Sequence, residues 1–397
     1  MEKVIIFGAG QIGRGFIGEL CYDSGLFIIF VDIDENIINL LNKDKTYPIY
    51  LLGKEKIEKK ISNFECLHLK NNKERIIDEI VKTQIIFTSV GAKNLFTLSE
   101  IIIDGIKEKF RKNYESYLNI IICENLLSAG KKLKEEILNK NLFSNEEKKF
   151  FQERVGFVET VISRMTSPLT EIEKKENPLL VKVEPYKILP VDKNSFKGKI
   201  PEIVGLLPVE NLKKYEELKL FGHNLSHVCV AYYGFLKGYK YIWESMKDKE
   251  ITDLLSKVQN EIKKYLKKKY NFKEIELKDY FEDLNERFKN KLLNDTVFRV
   301  GREPIRKIGR EERIVGAIKR CSEFDIFPES ICFVLAMALC YNTTLDEESV
   351  RLQKILEEKG IDFILNEICE IDNKKIIETV KKYYMEIKGE SGSFKRD

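Results

Sequence analysis

Lys219, Asn224 and His227 bring an amine, an amide and an imidazole together at the start of an unusual segment. Leu220 to Leu236 carries no lysine, arginine, aspartate or glutamate, although those four types make up 33% of the chain. On an α-helix each residue turns about 100°, which sets Asn224 ~140° and His227 ~80° around from Lys219, so the three share one side. The apolar series Leu218, Phe221, Leu225, Val228 and Tyr232 steps by three and four along the other side. A lysine on a helix dressed for burial can lose its proton near neutral pH, as a general base must. Spacing is what lifts Lys219 above an ordinary solvated lysine, and His227 by itself would read as a hydrogen-bonded core histidine. His223 and His227 stand four apart, a zinc-binding spacing. No glutamate follows His223 to make HExxH, and the only other histidine is His68, so no metal is expected.

The N-terminus holds a second constellation. Val4–Phe7 reads as a buried strand and runs straight into Gly8, Ala9, Gly10, Gln11, Ile12 and Gly13, a GxGxxG turn that opens a helix. Gly8 permits the tight turn, Gly10 lets backbone N–H groups approach a pyrophosphate, and Gly13 lets the helix pack on the strand. The helix N-terminus adds partial positive charge for the phosphates. A second apolar run, Phe27–Val31, ends in Asp32, nineteen residues after Gly13. A carboxylate there binds the ribose hydroxyls of NAD and repels the 2′-phosphate of NADP.

These sites need a scaffold. Apolar runs at Val4–Phe7, Phe27–Val31, Ile85–Phe87, Leu118–Cys123 and Val155–Val158 alternate with charged amphipathic stretches, which predicts βαβ units around a mainly parallel sheet. Six of the nine prolines lie between Pro168 and Pro208. Beyond them the pattern is helical, as in Asn211–Leu236, Glu250–Tyr270 and Glu347–Lys359. The expected class is α/β, with a Rossmann-type domain over residues 1–197 and a mostly helical substrate-binding and catalytic domain over 198–397. A net charge of +4 argues against a dedicated nucleic-acid or membrane partner. The apolar run Ile331–Tyr341 is too short to span a bilayer. Eight scattered cysteines without CxxC spacing suggest core residues in a reducing cytoplasm. A monomer or homodimer is expected.

Lys219-x4-Asn224-x2-His227 downstream of a Rossmann fingerprint resembles the signature of the long-chain polyol dehydrogenases. The resemblance extends in order through Phe7-Gly-Ala-Gly-Gln-Ile-Gly-Arg-Gly-Phe16, Cys123-Glu-Asn125, Val155-Gly-Phe-Val158, Val191-Asp-Lys193, Phe196-Lys-Gly198, Lys219-Leu-Phe221 and Arg299-Val-Gly-Arg302 with Pro304, Arg306 and Lys307. It implies a metal-free, NAD-dependent hydride transfer between D-mannitol 1-phosphate and D-fructose 6-phosphate. Lys219 would be the general acid–base, Asn224 a donor to the reacting oxygen, His227 a contact to a neighbouring hydroxyl and Asn125 a second amide donor. Asn125 could equally cap the following helix. Sibling activities on unphosphorylated polyols or hexuronates, and a non-catalytic NAD sensor, are the alternatives. The chain departs from the family at Ser163-Arg164, where an acid commonly precedes the arginine, and no role is assigned there.

Between Arg299 and Arg313 the chain concentrates Arg299, Arg302, Arg306, Lys307, Arg310 and Arg313 around Gly301, Pro304 and Gly309. Arginines in such a turn-rich segment can grip a phosphate by paired hydrogen bonds, or can form a basic surface balanced by Glu303, Glu311 and Glu312. The resemblance favours the sugar phosphate, with Arg302 and Arg306 near its phosphate and Lys307 near its hydroxyls.

Overall fold

The computed structural model describes residues 2–390, which divide into two compact units at Tyr215/Glu216. The division lies beyond the expected 197/198 boundary. Strand Leu206–Val209 pairs in parallel with Leu189–Asp192, and this backbone ladder keeps residues past 198 with the first unit.

The first unit is built on a six-stranded sheet in the order Phe64–His68, Phe27–Asp32, Lys3–Phe7, Ile85–Thr88, Leu118–Ile122, Val155–Glu159. All neighbours run parallel. In chain order this is 3-2-1-4-5-6, the doubly wound arrangement in which a dinucleotide binds beyond the carboxyl ends of the strands. Lys3–Phe7 is buried on both faces: Val4 and Ile6 enter one core, Ile5 and Phe7 the other. This is why the strands read as unbroken apolar runs. A second sheet joins Lys56–Ile61, Tyr47–Leu52, Val181–Val183 and Thr166–Ser167.

That second sheet supports the helix after the glycine turn. Residues Gly13–Ile17 form a π-turn, with Gly18 N–H bonded to Gly13 O five residues back. A π-turn disturbs the regular carbonyl ladder, and such turns recur at functional sites. Here Tyr47 Oη donates to Arg14 O at 2.9 Å, and Arg164 Nη1 donates to Gly15 O at 2.9 Å. A side chain at Gly15 would strike Val181 Cγ1, so the helix lies close against the second sheet. Arg164 also holds Glu19 at 2.6 Å with both side chains fully buried. Burial pushes the Glu19 carboxyl up, but Arg164, Lys187 and Lys59 together hold it below its ordinary value. Arg164 thus finds a structural use as a clamp on the glycine-turn helix.

The second unit is helical, with long elements at Lys249–Tyr270, Glu274–Phe288, Glu347–Phe363 and Lys374–Glu390 around the buried helices Leu225–Leu236 and Glu329–Leu339. Among the described residues no helix is long and apolar enough to cross a membrane.

Removing one partner of a buried ion pair leaves an uncompensated charge and costs about 3 kcal/mol or more. Arg164→Met is therefore expected to lower the unfolding free energy by roughly that amount, measured by urea titration. Glu19 has a depressed folded pKa, so its contribution is complete above its ordinary value of 4.5 and fades as pH falls below it. Glu19→Gln should accordingly flatten the loss of stability between pH 5 and 3; an unchanged acid limb would remove the clamp from the account.

Candidate active site

The nucleotide end of the first unit follows from its glycines. Gly8 has φ +98, and a Cβ there would lie 2.4 Å from Ser89 O. A Cβ on Gly13 would lie 1.9 Å from Gly8 O, whereas a Cβ on Gly10 would meet nothing within 4 Å. The turn is thus closed on its protein side at Gly8 and Gly13 and open at Gly10, which suits a pyrophosphate approaching backbone N–H groups. Ala9 N–H donates to Asp32 Oδ2 at 2.6 Å, and Ile33 and Asp34 N–H donate to Oδ1 at 2.7 and 3.0 Å. Each carboxylate oxygen has two acceptor sites. Asp32 therefore ties the glycine turn to its strand while retaining capacity for ribose hydroxyls. Gln11 and Ile12 begin the helix itself.

Asn125 is exposed beyond strand Leu118–Ile122. It does not cap the next helix, which starts at Ala129 with Ser128 in the cap position. Its neighbour Glu124 went unremarked in the sequence. That carboxylate accepts from Val90 N–H at 2.7 Å and Gly91 N–H at 2.9 Å, and so pins together the loops after two adjacent strands.

In the second unit the helix that carries Lys219, Asn224 and His227 departs from the ideal α geometry on which the one-sided convergence was based. Residues Leu218–Asn224 form a π-turn, with Leu225 N–H bonded to Leu220 O. In a turn closed five residues back, positions five apart stack as positions four apart do in an α-helix. Asn224 is five residues after Lys219, so the widened turn places the two positions on one face of the helix. The apolar side is as expected: Leu218, Phe221, Leu225, Val228 and Tyr232 are all buried.

Lys219 is partly screened from solvent. Burial, and then the neighbouring Arg313 guanidinium, push its amine down to about 8, against an opposing pull from Glu312. Arg313 is itself paired with Glu312 at 3.2 Å. His223 is buried with Nδ1 unpartnered, and burial together with Arg287 and His227 holds it well below the ordinary histidine range. His227 stacks on Phe288 with ring centroids 4.7 Å apart and planes inclined 17°. Its Nε2 lies 3.0 Å from Asp295 Oδ2. The two histidine rings are 5.8 Å apart, and among the described residues no group of three or more His, Cys, Asp or Glu is gathered for a metal. His68, far along the chain, accepts backbone N–H groups from Lys70 and Asn71 at Nδ1.

The arginine segment is broken as its glycines and proline suggest, into helices Val297–Gly301, Pro304–Lys307 and Val315–Glu323. Much of its charge is already matched. Arg299 bonds Asp295 at 2.7 Å, Arg306 bonds Glu303 at 2.6 Å and lies 3.6 Å from Glu312, and Arg310 bonds Glu370 at 2.6 Å. Arg302 is exposed, and its guanidinium has no hydrogen bond or ion pair to a described residue. Lys307 differs from expectation. It is buried, donates to the carbonyls of Val300 (2.8 Å) and Arg302, and burial with Arg313 pushes its amine down to about 7. It braces the turn that carries Arg302. Asp295 beside His227 carries no signal in the spacing, and Glu312 and Arg313, read only as part of the basic segment, act on Lys219. Asp295-Thr296 before a helix reads only as a capping turn, and Thr296 does cap Arg299 N–H.

Known proteins resemble this chain over nearly its whole length. Family models described as the mannitol dehydrogenase Rossmann domain and the mannitol dehydrogenase C-terminal domain match residues 2–205 and 211–388. A mannitol-1-phosphate 5-dehydrogenase of Caldanaerobacter subterraneus subsp. tengcongensis is 36% identical, over 98% of this chain and 99% of its own length. The enzyme of that name from Bacillus subtilis is 35% identical, over 94% and 97%. Among solved structures, D-sorbitol dehydrogenase in substrate-free form superposes with a TM-score of 0.81 at 14% identity, covering 98% of this chain and 94% of that one. Pseudomonas fluorescens mannitol 2-dehydrogenase, in ternary complex with NAD and D-mannitol, gives 0.71 at 17%, covering 99% and 93%. At such identities these two speak for the fold alone. The family models, which span nearly the whole chain, and the relatives above 30% identity establish that this chain belongs to the mannitol dehydrogenase family.

Proposed function

We propose that this chain is an NAD-dependent oxidoreductase that interconverts D-mannitol 1-phosphate and D-fructose 6-phosphate, with Lys219 as general acid–base. The observation that carries the proposal is the Lys219 amine, pushed down to about 8 on the same helix turn as Asn224. The relatives at 35–36% identity over nearly their full lengths support the substrate pair. Gly8, Gly10, Gly13 and Asp32 fit the cofactor, which when bound supplies the hydride acceptor or donor.

The chain's own residues divide the remaining work. In oxidation, neutral Lys219 takes the proton of the substrate's secondary hydroxyl; in reduction, its ammonium returns a proton to the forming alkoxide. Asn224 donates its amide N–H to that oxygen and steadies the charge that develops on it. Asn125 is assigned the second amide donor of the family resemblance. His227 takes a neighbouring hydroxyl and orients the carbon chain. Arg302, whose guanidinium has no ion pair to a described residue, is the principal phosphate contact. Arg306 joins it by exchanging Glu303 for the phosphate. Lys307, spent on backbone carbonyls, shapes the turn and does not contact the substrate in this scheme. The eight free cysteines, seven of them buried, fit a reducing cytoplasm.

Proton bookkeeping sets the pH dependence. Oxidation needs the free amine, so kcat/KM for mannitol 1-phosphate should rise with pH and level off above about 8. Reduction needs the ammonium, so kcat/KM for fructose 6-phosphate should fall as pH climbs through the same value. A shift of this size corresponds to on the order of 3 kcal/mol against the ammonium in the folded state. Lys219→Met should therefore abolish turnover, retain NADH binding and leave unfolding stability at pH 7 equal or higher. A variant that still turns over would rule out the amine as the base.

The phosphate assignment has its own check. NADH oxidation with fructose 6-phosphate should far exceed that with fructose, and Arg302→Ala should raise KM for the phosphorylated substrate about tenfold or more while changing the fructose rate little. Equal turnover of fructose and its 6-phosphate would point instead to an unphosphorylated polyol. Absence of turnover with either, with NADH binding intact, would favour a sensor.

A further inference from the structure

The His227 imidazole is gripped on one face and one edge. Phe288 stacks on the face, and at the edge Nε2 lies 3.0 Å from Asp295 Oδ2. Both atoms are buried, and neither has another hydrogen-bond partner among the described residues. The two stand at ion-pair distance without a hydrogen bond of good geometry. The carboxylate is itself anchored. Arg299 Nε donates to Oδ1 at 2.7 Å, and Ile242 N–H donates to the Asp295 backbone carbonyl at 2.9 Å. With one oxygen held by the guanidinium, the other is aimed at the histidine.

Chemistry restricts what can stand at that edge. A neutral imidazole has one N–H and one lone pair. A lone pair at Nε2 would face the lone pairs of a buried carboxylate oxygen, and both groups would stay unsatisfied in a water-poor site. A proton at Nε2 removes the clash and completes the contact after a small ring rotation. The ring's remaining nitrogen, Nδ1, is then an acceptor, on a side chain that is only partly buried. A buried carboxylate that sets the tautomer of a working histidine is the same logic by which an aspartate orients the imidazole of a serine-protease triad.

We propose that Asp295 is a positioning residue for the reaction: it fixes His227 as the Nε2–H tautomer, so that Nδ1 accepts a hydrogen bond from a substrate hydroxyl next to the reacting carbon. The proposal rests on the assignment of His227 to substrate and adds to it a direction: the substrate hydroxyl donates. It also predicts a specificity. A substrate whose neighbouring hydroxyl is replaced by hydrogen or by an ether loses the donor, and the imidazole cannot switch roles to compensate.

The chain has three histidines, so their nitrogen resonances can be assigned from His223→Gln and His227→Asn variants. In ¹⁵N-histidine protein without ligands, His227 should show a protonated Nε2 and an unprotonated Nδ1. Asp295→Asn should lose that single-tautomer signature and raise KM for fructose 6-phosphate about tenfold, with a smaller fall in kcat and unchanged NADH affinity. In a His227→Asn background the same change should add almost nothing, because its effect runs through the histidine. A wild-type His227 protonated at Nδ1, or an undiminished Asp295→Asn effect in the double variant, would overturn the proposal. Should Asp295→Asn fail to fold, Asp295→Glu provides the kinetic comparison, and the wild-type spectrum decides the tautomer without any variant of Asp295. That spectrum needs no substrate. If fructose 6-phosphate is not turned over at all, an Nε2–H signal leaves the Asp295–His227 pairing standing while the substrate assignment falls.

Discussion

Water solvates an ammonium ion so well that a lysine on a protein surface stays charged far above neutral pH. A base made from lysine depends on taking that water away. Lys219 is placed where solvation is poor and a second cation, Arg313, is close, and both push its amine down to about 8. Glu312 limits the effect, because it pairs with Arg313 and pulls the amine the other way. Much of the second unit can be understood as the means of keeping this balance. The uncharged run Leu220–Leu236 removes carboxylates that would restore the ammonium from the helix itself. Buried Val228, Cys229, Val230, Ala231 and Tyr232 anchor that helix in apolar core, so the amine cannot escape to solvent by movement of its backbone. Burial likewise holds His223 well below the ordinary histidine range, which disfavours a further cation near Lys219.

Two helices that carry function share a backbone device. Each contains a π-turn, at Gly13–Ile17 in the first unit and at Leu218–Asn224 in the second. Such a turn gives up regular hydrogen bonding, which has a cost unless other donors step in. In the first unit those donors are identifiable as Tyr47 and Arg164, and the ion pair of Arg164 with Glu19 secures one of them. In the second, the gain is geometric: an i,i+5 pair, Lys219 and Asn224, comes into alignment on one helix face. A regular α-helix would have left positions 219 and 224 about 140° apart around its axis.

The nucleotide half was legible because its physics is local. Three glycines, a strand before them and an acid at the end of the next strand are each demanded by a tight turn against a pyrophosphate, and they lie within the first 32 residues. The parallel strands stood out because sheets buried on both faces need unbroken apolar runs. Strand Lys56–Ile61 did not stand out, since its sequence KIEKKI faces solvent over most of its length, and neither did Phe64–His68, whose apolar run is interrupted by a glutamate. The arginine segment was recognised as basic, but its spacing could not tell the committed guanidiniums from the uncommitted one. Arg310 finds Glu370 sixty residues away, while Lys307 turns back on the carbonyls of its own loop.

The sequence by itself determined the inventory and the local periodicities: the glycine turn, the apolar stripe opposite Lys219, and the amine, amide and imidazole at a fixed spacing. Only the tertiary structure decided how each of those groups is conditioned. That Asp295 faces His227, that Arg313 acts on Lys219 more strongly than Glu312 does, and that Arg302 has no counter-ion among the described residues are facts about distances between remote parts of the chain. Coulomb energy and desolvation depend on those distances and on the surrounding medium. Neither is encoded in spacing along the backbone, which is why residue types named the chemistry and the fold supplied the conditions for it.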